Sequence, residues 1–99
     1  VRRIKNYQER AKDLLCKAID IFAAIDDKYG IADAQNVLAV CYFNEGNLLE
    51  AEAILEQTGE NISDDYLHPV FLRNRVNLLQ NKHKLKKFQQ ALEIIESCQ

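Results

Sequence analysis

The densest run of chemistry in the chain is Lys82, His83, Lys84, Lys86 and Lys87. Its plainer reading is a solvated helix corner, where cations complement the C-terminal end of a helix. As a contact, such a run suits phosphate groups or an acidic protein surface. Binding a single nucleic-acid strand also needs stacking aromatics, and only Phe88 is near, within an apolar stripe. An acidic protein surface is therefore the contact expected of Lys82, Lys84, Lys86 and Lys87, and a nucleic acid is not. His68 and His83 stand singly, so the paired ligands that one helix offers a metal ion are not expected. Cys16, Cys41 and Cys98 are odd in number and far apart, which argues against a disulfide framework and for a reducing, cytoplasmic setting. Cys41 lies in the apolar run Val37 to Phe43 and reads as a core thiol blunted by burial. No phosphate-cradling glycine loop, nucleophile elbow or acid/base pair is present. The sequence is thus expected to be non-enzymatic, with no catalytic residue, cofactor or metal. Asn61-Ile62-Ser63 matches a glycosylation triplet, a pattern common by chance.

The elements that carry these residues read as helices. Ninety-nine residues fit one small domain, and a hydrophobic fraction of 47% with 28% charged residues fits a globular chain. Three glycines and one proline are too few to punctuate a β sandwich or barrel. No apolar run approaches the roughly 20 residues that cross a bilayer, and no membrane partner is expected. The net charge of −2 hides an asymmetry. Residues 1–12 carry +4, residues 13–65 carry −10 and residues 66–99 carry +4. Charged ends of this kind offer a route to self-association of copies.

Apolar residues at Ile4, Tyr7, Ala11, Leu14, Leu15, Ala18, Ile21, Phe22 and Ile25 form one helical stripe. Gly30 reads as the break, Ile31 to Phe43 as a second helix, and Gly46 as its left-handed cap, with Asn47 capping the next helix. Leu48, Ala51, Ile54 and Leu55 mark a third helix, closed by Thr58-Gly59. Glu60 to Asp65 form a polar connection in which Ser63, Asp64 and Asp65 could cap a fourth helix, and Pro69 suits its first turn. That fourth helix runs through Leu72, Val76 and Leu79, Asn81 to Lys87 reads as a corner, and Phe88, Ala91, Leu92, Ile94 and Ile95 mark a fifth. At an offset of 40, Ala11 aligns with Ala51 and Ala91, Leu14 with Ile54 and Ile94, and Leu15 with Leu55 and Ile95. A small residue repeated at one point of three helices implies close backbone approach, and such periods mark stacked helix pairs.

The stretch Leu38-Ala39-x-x-Tyr42-x-x-x-Gly46-x-x-x-Glu50-Ala51-x-x-x-Leu55 resembles the tetratricopeptide repeat, in a subgroup with a period near 40. The resemblance implies an all-α solenoid of stacked antiparallel helix pairs with about five helices. Residues 4–26 would be an orphan second helix, 31–58 one repeat and 66–98 another, cut from a longer array. In the last repeat Lys82 stands for the expected aromatic and Lys86 for the turn glycine. The family's concave groove, carried over by position, falls on Asp33, Asn36, Val40, Phe43 and Asn44, then on Arg73, Val76, Asn77, Gln80 and His83. Only Arg73, Asn77 and Asn36 suit a clamp for a partner's terminal carboxylate, and Val40 and Asp33 sit where it would want donors, so that clamp is not expected. The function expected is a protein-interaction module that holds a partner's peptide or helix. The alternatives are the peptide-sensing part of a transcriptional regulator or signalling protein, and a structural self-association module.

Overall fold

The computed structural model describes residues 2–98 and the side chains of residues 7–98, so Ile4 of the first stripe lies outside the described side chains. Among the described residues four helices succeed one another: α1 (Arg2–Ala24), α2 (Lys28–Asn44), α3 (Leu48–Asn61) and α4 (Pro69–Ser97), with a 3-10 turn at Ser63–Asp65 before α4. No strand occurs among these residues. The all-α expectation holds, and the helix count is four rather than about five.

The missing fifth helix is explained by residues 81–87. The repeat length predicts a corner here, yet the segment holds neither glycine nor proline and is rich in lysine, a good helix former. Nothing in it interrupts the backbone ladder, and α4 runs through it unbroken for 29 residues. Residues 66–98 therefore do not form an antiparallel pair of their own here.

The two tight turns have the same hydrogen-bonded form. At the end of α2, Gly46 N–H donates to Phe43 O at 3.0 Å and Asn47 N–H to Tyr42 O at 2.9 Å, with Gly46 at φ 83°. At the end of α1, Asp26 N–H donates to Ala23 O at 3.2 Å and Asp27 N–H to Phe22 O at 2.9 Å. Both satisfy the last carbonyls of a helix by a left-handed residue just past its end. In the first turn that residue is Asp26, at φ 57°, where a β-carbon is strained. Asp26→Gly is expected to raise stability by about 0.5–1 kcal/mol, the relief of strain exceeding the added chain entropy. A higher urea midpoint at unchanged slope measures it.

Two glycines read as breaks lie inside helices instead. Gly30 is the third residue of α2, and a β-carbon there would fall 2.6 Å from the Phe22 ring of α1. Its N–H is capped by the Asp27 carboxylate at 3.0 Å. Gly59 is within α3, where a β-carbon would lie 2.8 Å from Asn74 Oδ1 of α4. Each glycine allows a neighbouring helix to come close. Asn47 flanks α3 as expected but makes no side-chain cap bond. α4 is capped not by Ser63, Asp64 or Asp65 but by His68, whose Nδ1 accepts from Val70 N–H at 3.1 Å, with Pro69 in the first turn.

Packing runs as a zig-zag, with α1 on α2, α2 on α3, α3 on α4, and α2 also on α4. The extents of 55 × 36 × 16 Å fit two layers of helices, whose axes pack roughly 8–10 Å apart. Ala39 and Ala51 meet in the core with Leu55 and Leu78, edged by Tyr42, Phe43 and Ile54. A second cluster joins Ala32, Ile62 and Val70. In α4 the core face is Val70, Asn74, Leu78 and Asn81. The expected stripe of Leu72, Val76 and Leu79 points outward, at 53%, 52% and 69% exposure.

Candidate functional site

The asparagines are what set α2, α3 and α4 against one another. Asn74 is fully buried, and its Nδ2 donates to Asn36 Oδ1 at 2.9 Å and to Leu55 O at 3.0 Å. Asn36, also buried, donates to Val70 O at 3.1 Å. Asn81 Nδ2 donates to Leu48 O at 2.9 Å. Amides buried this deeply are tolerated because their donors are met. The oxygens Asn74 Oδ1 and Asn81 Oδ1 are buried and accept no hydrogen bond within the described residues. Asn74 Oδ1 sits where a β-carbon on Gly59 would come within 2.8 Å of it.

Along the line where α2 and α4 diverge above α3 lies a cleft of about 190 Å³, formed by Ala39, Val40, Phe43 and Asn44 of α2, Leu55 of α3, and Asn77, Gln80 and Asn81 of α4. Leu55, Ala39, Val40 and Phe43 make it apolar, while Asn44, Asn77, Gln80 and Asn81 bring amides to it. Drug-sized ligands use pockets of roughly 300–1,000 Å³, so this volume suits a side chain of a partner better than a whole small molecule. Lys84 Nζ sits 4.4 Å from the centre of the Phe43 ring, a cation–π contact that joins α4 to α2 beside the cleft.

Of the ten groove positions expected from the sequence, the structure brings Val40, Phe43, Asn44, Asn77 and Gln80 together on this cleft. Asn36 is instead a core residue, at 2% exposure. Asp33 and Arg73 are paired across α2 and α4, with Arg73 Nη2 at 3.0 Å from Asp33 Oδ1. Val76 and His83 are exposed outside the cleft lining. With Arg73 engaged by Asp33 and Asn36 donating into the core, two of the three donors of a carboxylate clamp are engaged elsewhere, and Asn77 alone of the three lines the cleft. The sequence reading missed Ala39, Leu55 and Asn81 as lining residues. Asn81 was hidden in the segment read as a corner.

The lysine cluster does not act as one patch. On an unbroken helix its members fan out. Lys82 turns to α3, reaching Glu56 at 3.3 Å and Glu52 at 3.7 Å, and Lys84 covers Phe43. Lys86 and Lys87 are exposed.

The titratable groups elsewhere are structural in their surroundings. Lys28 lies 2.9 Å from Asp65 Oδ2, and this hydrogen bond, aided by one from Tyr29, holds the Asp65 carboxyl below its ordinary range. The same bond raises Lys28, and Asp65 likewise raises the Tyr29 hydroxyl. The Tyr29 ring stacks on His68 at 4.1 Å between centres, bracing the cap of α4. Lys12 is raised by its hydrogen bond to Glu45, which ties α1 to the end of α2. Burial pushes the Cys41 thiol up, although the residue is half-buried and not part of the core as expected. Among the described residues no group of three or more His, Cys, Asp or Glu side chains gathers to hold a metal ion. No described helix is long and apolar enough to cross a membrane.

Comparison of the chain with known protein families, with curated proteins and with solved structures finds no match.

Proposed function

We propose that this chain is a protein-interaction module whose cleft between α2 and α4 takes an apolar side chain from a partner's peptide or helix. The observation that carries this is the cleft itself: a small apolar hollow floored by Leu55 and Ala39 and rimmed by the amides of Asn44, Asn77 and Gln80. Apolar pockets with a few placed polar groups bind side chains and orient the backbone that bears them.

A tetratricopeptide-like arrangement is part of the same reading. Its support is the α2–α3 pair, in which Ala39 and Ala51 share the core and Gly46 makes the left-handed turn between the helices. The wider stack of repeats belongs to the proposal as well.

Panning a random peptide display library against the chain, then measuring synthetic winners by calorimetry, tests the cleft. Val40→Glu and Asn77→Ala are expected to weaken the winners at least about tenfold, the scale of a lost buried contact, while Leu49→Ala, on an exposed part of α3, leaves them unchanged. Winners that bind Val40→Glu and Asn77→Ala as tightly as the parent chain would show that the cleft is not the binding site.

A further inference from the structure

We propose that the projecting half of α4 pairs antiparallel with the same segment of a second copy of this chain, through a seam of Leu85, Phe88, Leu92 and Ile95. This reading is independent of the cleft.

The seam begins inside the fold. Val70, Asn74, Leu78 and Asn81 are the buried line of α4, and the same line continues through Leu85, Phe88, Leu92 and Ile95 in steps of three and four. Every described residue from Lys86 onward is exposed, with Phe88 at 53%, Leu92 at 57% and Ile95 at 55%. A face of this kind, alternating by three and four, is the pattern that buries itself between two helices.

The charges beside the seam choose the occupant. On one flank lie Lys82, Lys86, Gln89, Glu93 and Glu96, again in steps of four and three. This strip is positive at one end, negative at the other and neutral at its midpoint. Antiparallel pairing centred near Gln90 sets Leu85 against Ile95 of the second copy and Phe88 against its Leu92. The same register brings Lys86 beside Glu93 of the second copy, Lys82 beside its Glu96, and the two Gln89 side chains together. A parallel pair would oppose lysine to lysine and glutamate to glutamate. Lys86 makes no ion pair among the described residues, and Lys82 already spans two glutamates of its own chain. The arrangement is two-fold and closed, so it stops at a dimer. The exposed line of α1, Tyr7, Leu14 and Ile21, is flanked by both signs, Arg10 and Lys17 beside Asp13 and Asp20, so charge does not exclude it. Docked on α4 of another copy it would be a head-to-tail contact that grows beyond a dimer, a result that would overturn the proposal.

The seam spans only about 15 Å of helix, and so short a seam buries less than the roughly 800 Å² per partner of a standard interface. A dissociation constant on the order of 10 µM is expected.

Sedimentation velocity from about 5 to about 500 µM brackets that value. The expected result is a monomer that gives way to a dimer as concentration rises. Phe88→Glu should abolish the dimer with the helical circular dichroism unchanged, since this side chain is exposed in the monomer. Lys86→Glu and Glu93→Lys should each weaken the dimer about tenfold, and mixing the two variants should restore it. Orientation is read by oxidative cross-linking. With the exposed Cys16 replaced by serine throughout, Ala91→Cys in a Cys98→Ser background should form a disulfide dimer, whereas native Cys98 lies roughly 24 Å along the axis from its copy and should not. A monomer at every concentration, a dimer that survives Phe88→Glu, or efficient Cys98 to Cys98 cross-linking would each overturn the proposal.

Discussion

Asn74→Asp is expected to remove a large share of the chain's stability at neutral pH, although it exchanges one amide nitrogen for one oxygen. The parent Nδ2 donates to Asn36 Oδ1 and Leu55 O in a site with no solvent exposure. A carboxylate there would face two acceptors and supply no donor. Breaking a buried polar pairing so that a charge is left uncompensated costs about 3–5 kcal/mol, against a total stability of roughly 5–15 kcal/mol for small domains. The pH dependence has a definite sign. Burial favours the protonated form of the new carboxyl, so its folded-state pKa is raised and the folded chain binds more protons than the unfolded one. Stability therefore falls as pH rises from about 3.9. Lowering the pH below about 4 should recover part of the lost stability, and circular dichroism melts across that range measure it. A variant as stable as the parent at pH 7 would mean that the asparagine bonds are not what holds α4 in place.

Leu55→Ala carries the second large effect. Leu55 is 2% exposed and meets Ala39, Ala51 and Leu78 in the core. Truncations of this kind cost about 2–5 kcal/mol, the upper part of the range where the neighbours cannot close in. Ala39 and Ala51 have no side chain with which to fill the space, so about 3–4 kcal/mol is expected, read from the urea midpoint. Leu55 is also the floor of the cleft. The hollow should therefore deepen in the surviving folded fraction, and peptides selected against the variant should carry bulkier anchors than those selected against the parent.

Much of the architecture was legible because its signals are local. Gly46 is read correctly from the sequence as the left-handed end of α2, and the Ala39, Ala51 and Leu55 set meets as their spacing implies. Five of the groove positions converge on the cleft for the same reason: they sit on helix faces that periodicity can place. What escaped did so where polarity and burial part company. Asn74 and Asn81 hold core positions in α4, so the apolar stripe of Leu72, Val76 and Leu79 looked like the core and is in fact outside. Gly30 and Gly59 looked like stops because glycine ends helices. Their reason is three-dimensional, the approach of Phe22 and Asn74, and no local pattern encodes it. The corner at 81–87 came from carrying a repeat length across a segment that has lost its turn glycine. Lys86 stands at that place, and it propagates a helix.

The asparagine bonds also bear on errors of assembly. Asn74 reaches Leu55 O and Asn81 reaches Leu48 O, so two donors seven residues apart on α4 meet two carbonyls seven residues apart on the antiparallel α3. Sliding α4 along α3 by one helical turn would strand both amides, which makes the correct alignment distinct from its nearest rivals. A slide of seven residues would let one amide find the other's carbonyl while stranding the second, and Asn36, fixed on α2, rejects that alternative further by its bonds to Asn74 and Val70 O. The three asparagines thus work as a vernier: two set the spacing of the marks and the third says which mark is zero.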